Sequence, residues 1–211
     1  MEYWSEYTRF FTALFVILDP FAAIPIFLSL THDYSVQERH RAINMAAITV
    51  LLVLMISALF GDAILTGLGT SLPSFRVGGG IVLLIMALAM LRSDTGKILR
   101  AEQATLVNDI RENIAIVPIA IPLLAGPGSI STVIIQVHRP GPELHLLWVL
   151  LVIFLMCLSL WLILRLATPI GRALGPMGLN ILNRLLGLIL CAIAVEIMAN
   201  GLRDLFPGLA A

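Results

Sequence analysis

The chain has 211 residues, of which 59% are hydrophobic and 12% are charged, and its mean hydropathy is +1.00. Soluble domains are about 25% charged, so this chain has too few charged side chains to cover a surface that faces water. The formal net charge is zero, which excludes the basic surface that nucleic-acid binding requires. We therefore expect a polytopic membrane protein that contacts membrane lipids and has no nucleic-acid partner.

Six apolar segments are long enough to cross the hydrocarbon core, which takes about 20 helical residues. They run from Phe10 to Leu30, Ala42 to Phe60, Phe75 to Leu91, Ile114 to Val137, Leu144 to Ala167 and Ile181 to Leu202. The first ten residues are acidic and aromatic, unlike a secretory signal, so the first segment is expected to remain as a span. The fold class predicted is an all-α polytopic membrane protein with one membrane domain, 1–211.

The only long polar stretch, 92–113, separates the third and fourth spans and has the pattern of a short interfacial helix. In a six-span topology nine Lys and Arg residues lie on the same side of the membrane as this stretch, and four lie on the side of both termini. Cytoplasmic segments carry the excess of basic residues, so 92–113 is expected in the cytoplasm and both termini outside. Trp4 and Trp148 fit an aromatic belt at the outer face.

Two proline-containing segments repeat at an offset of 102 residues: 20–30 reads PFAAIPIFLSL and 122–132 reads PLLAGPGSIST. They match at Pro20 and Pro122, Ala23 and Ala125, Pro25 and Pro127, and Ser29 and Ser131. A weaker match relates Arg76, Gly79, Ile81 and Met90 to Arg184, Gly187, Ile189 and Met198. We predict two repeats of three spans, about 8–91 and 114–203, and the odd number of spans inverts the second repeat.

Proline removes a backbone N–H group, so two prolines five residues apart are expected to unwind a turn or more in spans 1 and 4. Irregular backbone at this depth is tolerated only against protein or a water-filled cavity. Restarted helices offer N–H groups to a carboxylate, and freed carbonyl groups suit an ammonium group, as a zwitterionic amino acid requires. The predicted substrate-binding residues are Asp19, Pro20, Ala23, Pro25, Ser29, Pro122, Ala125, Gly126, Pro127, Gly128, Ser129 and Ser131, with Thr132 nearby. The alternative is a pair of ordinary kinked helices, which the repeated spacing disfavours.

Three charged residues in the predicted spans are candidates for coupling or gating. Asp19 lies near the centre of span 1, where insertion of an acid costs about 2.5–3.5 kcal/mol. It is expected either to bind a proton or a substrate ammonium group, or to cap the helix that restarts at Pro20. Glu196 in span 6 is expected to pair with Arg76 at the start of span 3, and a gating or proton-relay role is the alternative.

Other motifs predict structure rather than chemistry. The glycines at 78–80 and Gly187 are expected to let helices approach closely. His138, Glu143 and His145 share a short loop, but their spacing does not specify a metal site. The sequence has no P-loop, HExxH or GxSxG motif, so we expect neither an enzyme nor a bound cofactor or metal.

Four segments carry a resemblance to a known family: LDPFAAIPIFLSLT at 18–31, FRVGGGIVLL at 75–84, VPIAIPLLAGPGSISTVI at 117–134 and NRLLGLILCAIAVEIMANGL at 183–202. Together they resemble the MarC family of six-span bacterial and archaeal inner-membrane proteins, which is related to LysE-type exporters. The resemblance covers nearly the whole chain. It implies an inner-membrane location, outward-facing termini and, through archaeal members described as transporters of small neutral amino acids, a transport function.

The sequence therefore favours a secondary transporter of a small neutral amino acid or a related small metabolite. It leaves open whether transport is import or export, which ion is coupled, and whether the chain forms a homo-oligomer. The alternative is a non-transporting membrane scaffold or accessory protein, in which the helix breaks serve packing alone. An intramembrane enzyme lacks support, because no pair of nucleophile and base is evident.

Overall fold

The computed structural model describes residues 2–31, 34–67, 69–92, 126–206 and 208. Within these ranges the secondary structure is helical: α1 (Glu2–Leu18), α2 (Pro20–Leu30), α3 (Val36–Gly67), α4 (Leu72–Leu91), α5 (Pro127–Val137), α6 (His145–Arg165) and α7 (Ala167–Leu205). Five stretches are long and apolar enough to cross a membrane: Trp4–Pro25, Val36–Gly61, Leu72–Leu91, His145–Arg165 and Ala167–Leu205. These correspond to predicted spans 1, 2, 3, 5 and 6.

Some predictions fall on residues that the structure does not describe. The polar stretch 92–113, beyond Arg92, and the first part of predicted span 4 belong to this group, as do Pro122 and Ala125. The described remainder of span 4 is α5, which has 11 residues.

The predicted start of span 6, at Ile181, is too late. The last helix, α7, already begins at Ala167 and is interrupted at Gly175, whose φ of 61° lies in the left-handed region. Glycine adopts this conformation without the steric cost of a Cβ atom, and Pro176 then starts the following helical stretch. Glycine, proline and arginine in 167–180 reduce the hydropathy there, which explains why the apolar pattern missed this part of the helix.

α1 and α2 run in the same direction as parts of span 1, and the spans that the structure describes alternate in direction. Both ends of the described chain lie at the same end of the bundle. Trp4 at the start of α1 contacts Trp148 at the start of α6, with ring centroids 5.4 Å apart. Arg76 at the start of α4 forms an ion pair with Asp204 at the end of α7. We call this the termini end. The opposite end carries the α2–α3 and α6–α7 connections.

The antiparallel pair α4 and α7 packs through glycine. A Cβ atom placed on Gly187 would lie 2.8 Å from Met90 Cβ and 3.2 Å from the carbonyl oxygen of Ala87. A Cβ atom on Gly80 would overlap Met198 and lie 3.0 Å from the carbonyl oxygen of Ala194. These contacts confirm that the glycines let the two backbones approach closely.

The glycines at 78–80 do not all serve this purpose. Gly79 faces α5, where an added Cβ atom would lie 2.7 Å from Ser131 Cβ and Oγ. At Gly78 an added Cβ atom would meet no described atom within 4 Å, so the packing prediction is wrong for this residue. The difference follows from helical geometry, because three consecutive residues point in three different directions around α4.

His145 links three helices at the termini end. The Tyr7 hydroxyl lies 2.8 Å from His145 Nδ1, and His145 Nε2 lies 2.9 Å from the carbonyl oxygen of Gln136. A carbonyl oxygen only accepts, so Nε2 carries the hydrogen, and in the neutral ring Nδ1 accepts from Tyr7. His145 thus stabilises the contacts of α1, α5 and α6.

Candidate functional site

The first span is broken at Asp19. Asp19 has φ of 40° and ψ of 66°, the left-handed conformation, and separates α1 from α2. The Ala22 N–H donates to Asp19 Oδ1 at 3.2 Å, which makes Asp19 the N-cap of α2. Pro20 occupies the first turn, where its missing N–H group costs no helical hydrogen bond. The structure therefore confirms the capping interpretation of Asp19.

Capping uses only one oxygen of the Asp19 carboxylate. The residue is 8% exposed, and Oδ2 has no hydrogen-bond partner among the described residues. Burying a carboxylate oxygen without a partner is costly, so a donor at Oδ2 would be favourable. A proton, an ammonium group or another cation would satisfy that oxygen.

The predicted unwinding from Pro20 to Pro25 is wrong in extent. Between residues 2 and 30 Asp19 is the only non-helical residue, and α2 continues through Pro25 to Leu30. Pro25 removes one helical hydrogen bond, to the carbonyl oxygen of Phe21, without ending the helix. Pro25 is exposed, and Ala23 is half-buried against the apolar core, with its N–H group donating to the carbonyl oxygen of Asp19 at 3.3 Å.

The fourth span has a helix start at Pro127, preceded by the buried Gly126 with extended φ and ψ of −70° and 175°. The N–H groups of Ser129 and Ile130 both donate to the carbonyl oxygen of Gly126, at 3.1 and 3.2 Å. Both α2 and α5 thus have 11 residues with proline in the first turn. In both cases the residue before the first-turn proline, Asp19 or Gly126, is the N-cap of the helix, whereas the sequence alignment pairs Pro25 with Pro127.

Gly128 brings the two helix starts together. A Cβ atom on Gly128 would overlap the side chain of Leu83 in α4 and lie 3.6 Å from Ile17 Cγ2 in α1. Ile17 stands two residues before Asp19, so the start of α5 and the break in span 1 are neighbours inside the bundle. This contact brings Gly128 close to the break in span 1, and the binding role of these residues stays a prediction.

The hydroxyl groups of α5 are buried, but two of them are used within the helix. Ser129 Oγ donates to the carbonyl oxygen of Gly126 at 2.8 Å, and Thr132 Oγ1 donates to that of Gly128 at 2.9 Å. In this arrangement each of these two hydroxyl oxygens is left only to accept a further hydrogen bond. Ser131 is 3% exposed and packs against Gly79. The side chain of Ser29 lies outside the described part of the structure.

The predicted ion pair between Arg76 and Glu196 is wrong. Arg76 Nη1 instead contacts Asp204 Oδ2 at the termini end. Glu196 has an exposed side chain and forms no ion pair within the described residues. Helical spacing explains the difference: Glu196 and Asp204 are eight residues apart, and Asp204 is level with the start of α4, where Arg76 lies.

Sequence reasoning named His145 only as a loop residue and missed two other polar residues altogether. His145 is a structural residue, as described above. Gln136 Nε2 and Asn183 Oδ1 are buried without a hydrogen-bond partner among the described residues. A single amide within an apolar run gives no pattern that would have identified either one.

Comparisons with known proteins agree with this architecture. The model of the MarC family, described as integral membrane proteins, matches residues 4–206. The chain is 35% identical over 203 residues to the UPF0056 membrane protein YhcE of Escherichia coli (strain K12), covering 96% of this chain and 94% of the relative. It is 38% identical over 193 residues to a UPF0056 membrane protein of Methanocaldococcus jannaschii, covering 92% and 94%.

No solved structure matches the chain. The family match extends over nearly every residue, and the relatives align over almost their full lengths. Long apolar helices, the capped break at Asp19 and glycine-mediated packing agree with an integral membrane protein that crosses the bilayer several times. The chain belongs to the MarC family of integral membrane proteins.

Proposed function

We propose that this protein is a secondary transporter of a small neutral amino acid or a related small metabolite. The observation that carries the proposal is Asp19 Oδ2, a buried carboxylate oxygen without a hydrogen-bond partner among the described residues. Acids inside membrane helices are costly and mark ion, proton or substrate sites. The ammonium group of an amino acid, or a coupling proton, supplies the donor that this oxygen lacks.

The start of α5 supports the other half of an amino-acid site. The helix dipole makes an N-terminal end favourable for a carboxylate. Because Ile17 and Gly128 are neighbours, the Asp19 break and the start of α5 lie side by side, and a zwitterion next to both would place its ammonium group towards Asp19 and its carboxylate towards α5. The proposed site therefore needs no cofactor and no enzymatic step.

An inverted repeat, about 8–91 and 114–203, forms part of the proposal. The contacts between α4 and α7 support it: Gly187 packs on Met90, and Gly80 packs on Met198. The sequence match pairs Gly79 with Gly187 and Met90 with Met198. The symmetric counterpart of the Gly187–Met90 contact would therefore join Gly79 to Met198. The observed contact joins Met198 to Gly80, one residue away. Transporters with this symmetry bind substrate near the membrane midplane, where broken helices from the two repeats meet.

We further propose an inner-membrane location with both termini outside. Nine basic residues lie on the side of 92–113 and four on the side of the termini, which favours a cytoplasmic location for the former. Both ends of the described chain share one end of the bundle. In this orientation α1 leads to the Asp19 break from the outer face, and α2 continues from the break towards the cytoplasm.

Uptake of labelled alanine or glycine into proteoliposomes, with and without a proton gradient, tests the transport proposal. Asp19→Asn retains the capping geometry, since Asn and Asp are comparable caps, but it removes the charge. We expect the Asn variant to insert and fold like the wild type and to lose gradient-dependent uptake. Glu143→Gln, which removes an exposed loop carboxylate, is the matched control and should transport like the wild type.

Two results would contradict the proposal. Wild-type protein without uptake of any small neutral amino acid would favour the non-transporting scaffold. Full gradient-dependent uptake by Asp19→Asn would remove Asp19 from the mechanism. Glu196→Gln is measured in parallel, and its selective loss of gradient dependence would assign coupling to Glu196 instead.

A further inference from the structure

A cavity of about 340 Å³ opens at the termini end of the bundle, between α4, α5 and α7. It is lined by Arg76, Ile135, Arg139, Ile197, Asn200, Arg203 and Asp204. The volume lies near the lower limit of small-molecule sites, which are about 300–1,000 Å³. The cavity therefore has room for a compact solute or a single headgroup.

Its charge is unbalanced. Three arginines line the cavity against one carboxylate, Asp204, and Arg76 pairs with that carboxylate. Arg139 and Arg203 form no ion pair with any described residue. The buried Nε of Arg76 also lacks a hydrogen-bond partner among the described residues. Two positive charges that have no ion-pair partner among the described residues thus line this space.

The other lining residues suit a small polar ligand. Ile135 and Ile197 provide apolar walls, and Asn200 adds an amide that can both donate and accept. Guanidinium groups match planar or tetrahedral oxyanions, because their N–H groups form paired hydrogen bonds to two oxygens. Arg139 and Arg203 are exposed, so their guanidinium groups are accessible to a solute that enters the cavity.

We propose that this cavity binds a compact oxyanion, a carboxylate or a phosphate group, at the termini end of the protein. The site is separate from the Asp19 break and does not depend on the proposed transport function. The same chemistry is available from two sources, a free anion in solution and the phosphate of an anionic lipid headgroup. The experiment below distinguishes them.

The full chain is placed in nanodiscs of phosphatidylcholine, and inorganic phosphate is titrated by calorimetry at constant ionic strength. We expect saturable binding that weakens about tenfold or more in the double variant Arg139→Gln/Arg203→Gln, since charge-assisted bonds are lost. Arg9→Gln is the matched control. It removes one exposed positive charge near the same end, outside the cavity lining, and should bind phosphate like the wild type.

A second arm uses nanodiscs that contain phosphatidylglycerol and no free phosphate, with native mass spectrometry of the released protein. Retention of one phosphatidylglycerol by the wild type and Arg9→Gln, but not by the double variant, identifies a headgroup as the source. Binding of free phosphate without retained lipid identifies a soluble anion. Equal binding by all three proteins in both arms, or binding by none, overturns the proposal.

A further double variant tests whether weaker binding reflects the loss of arginine chemistry or a misfolded protein. Arg139→Lys/Arg203→Lys keeps both charges but loses the paired N–H geometry. We expect binding intermediate between the wild type and the double Gln variant, with an unchanged elution volume and unfolding temperature. Affinity equal to that of the double Gln variant, or undiminished from the wild type, would contradict recognition by charge and geometry together.

Discussion

Ile17 in α1 and Gly128 in α5 are in direct contact range: a Cβ atom on Gly128 would lie 3.6 Å from Ile17 Cγ2. The same Cβ atom would overlap the side chain of Leu83. The relationship ties the break in the first span to a helix start more than 100 residues later in the chain. It also makes the size of residue 128 critical for the packing of α1, α4 and α5.

We expect Gly128→Ala to destabilise the protein by about 1–3 kcal/mol, because the added methyl group overpacks a closed contact. The measurement is thermal or denaturant unfolding in detergent. Gly78→Ala is the matched control, since an added Cβ atom there meets no described atom within 4 Å. The control should be neutral or slightly stabilising, as expected for Gly to Ala in a helix. Equal stability of the two variants would contradict the close approach.

Asp19→Ala should destabilise the first span in a way that Asp19→Asn does not. Loss of the capping oxygen that accepts from Ala22 costs about 1 kcal/mol. The left-handed backbone at φ 40° adds about 1–2 kcal/mol for a residue such as Ala, whereas Asn tolerates it. Unfolding of the wild type and both variants at the same pH measures the difference. An Ala variant as stable as the Asn variant would argue against the capped break.

Tyr7→Phe is expected to lower the free energy of unfolding by about 1–3 kcal/mol. The change leaves His145 Nδ1 buried without the hydroxyl that lies 2.8 Å away, and an unsatisfied buried acceptor carries this cost. Tyr34→Phe, a half-buried tyrosine at the opposite end, provides the comparison. If Tyr7→Phe matched Tyr34→Phe in stability, the link between α1, α5 and α6 would contribute nothing measurable.

Thiol labelling tests the proposed orientation in the membrane. Glu143→Cys at the termini end and Gln37→Cys at the opposite end are both exposed. Cys157 is buried in the core, which limits its background reaction. In intact cells a membrane-impermeant maleimide should label residue 143 and not residue 37, whereas both should react after permeabilisation. The opposite pattern would place both termini in the cytoplasm.

Several features of this protein were decided by the sequence alone. Apolar length determined the membrane class and located five spans whose helices the structure describes. Proline after Asp19 determined that the first helix restarts at residue 20, because proline accepts the first helical position and the preceding residue avoids helical geometry. Glycine at 80 and 187 indicated close helix contacts. All of these follow from local backbone chemistry or from the hydrophobic effect, which one segment expresses by itself.

Other features were decided only by the tertiary structure. Pro25 stays within α2, and the N-cap residues of the two proline-started helices are Asp19 and Gly126. Arg76 selects Asp204 over Glu196, and the arginine-lined cavity joins residues that are more than 120 positions apart. Which residues form an ion pair or line a cavity depends on which helix faces meet and at what depth along the bundle. That relative placement arises from packing between distant segments, so no local sequence pattern contains it.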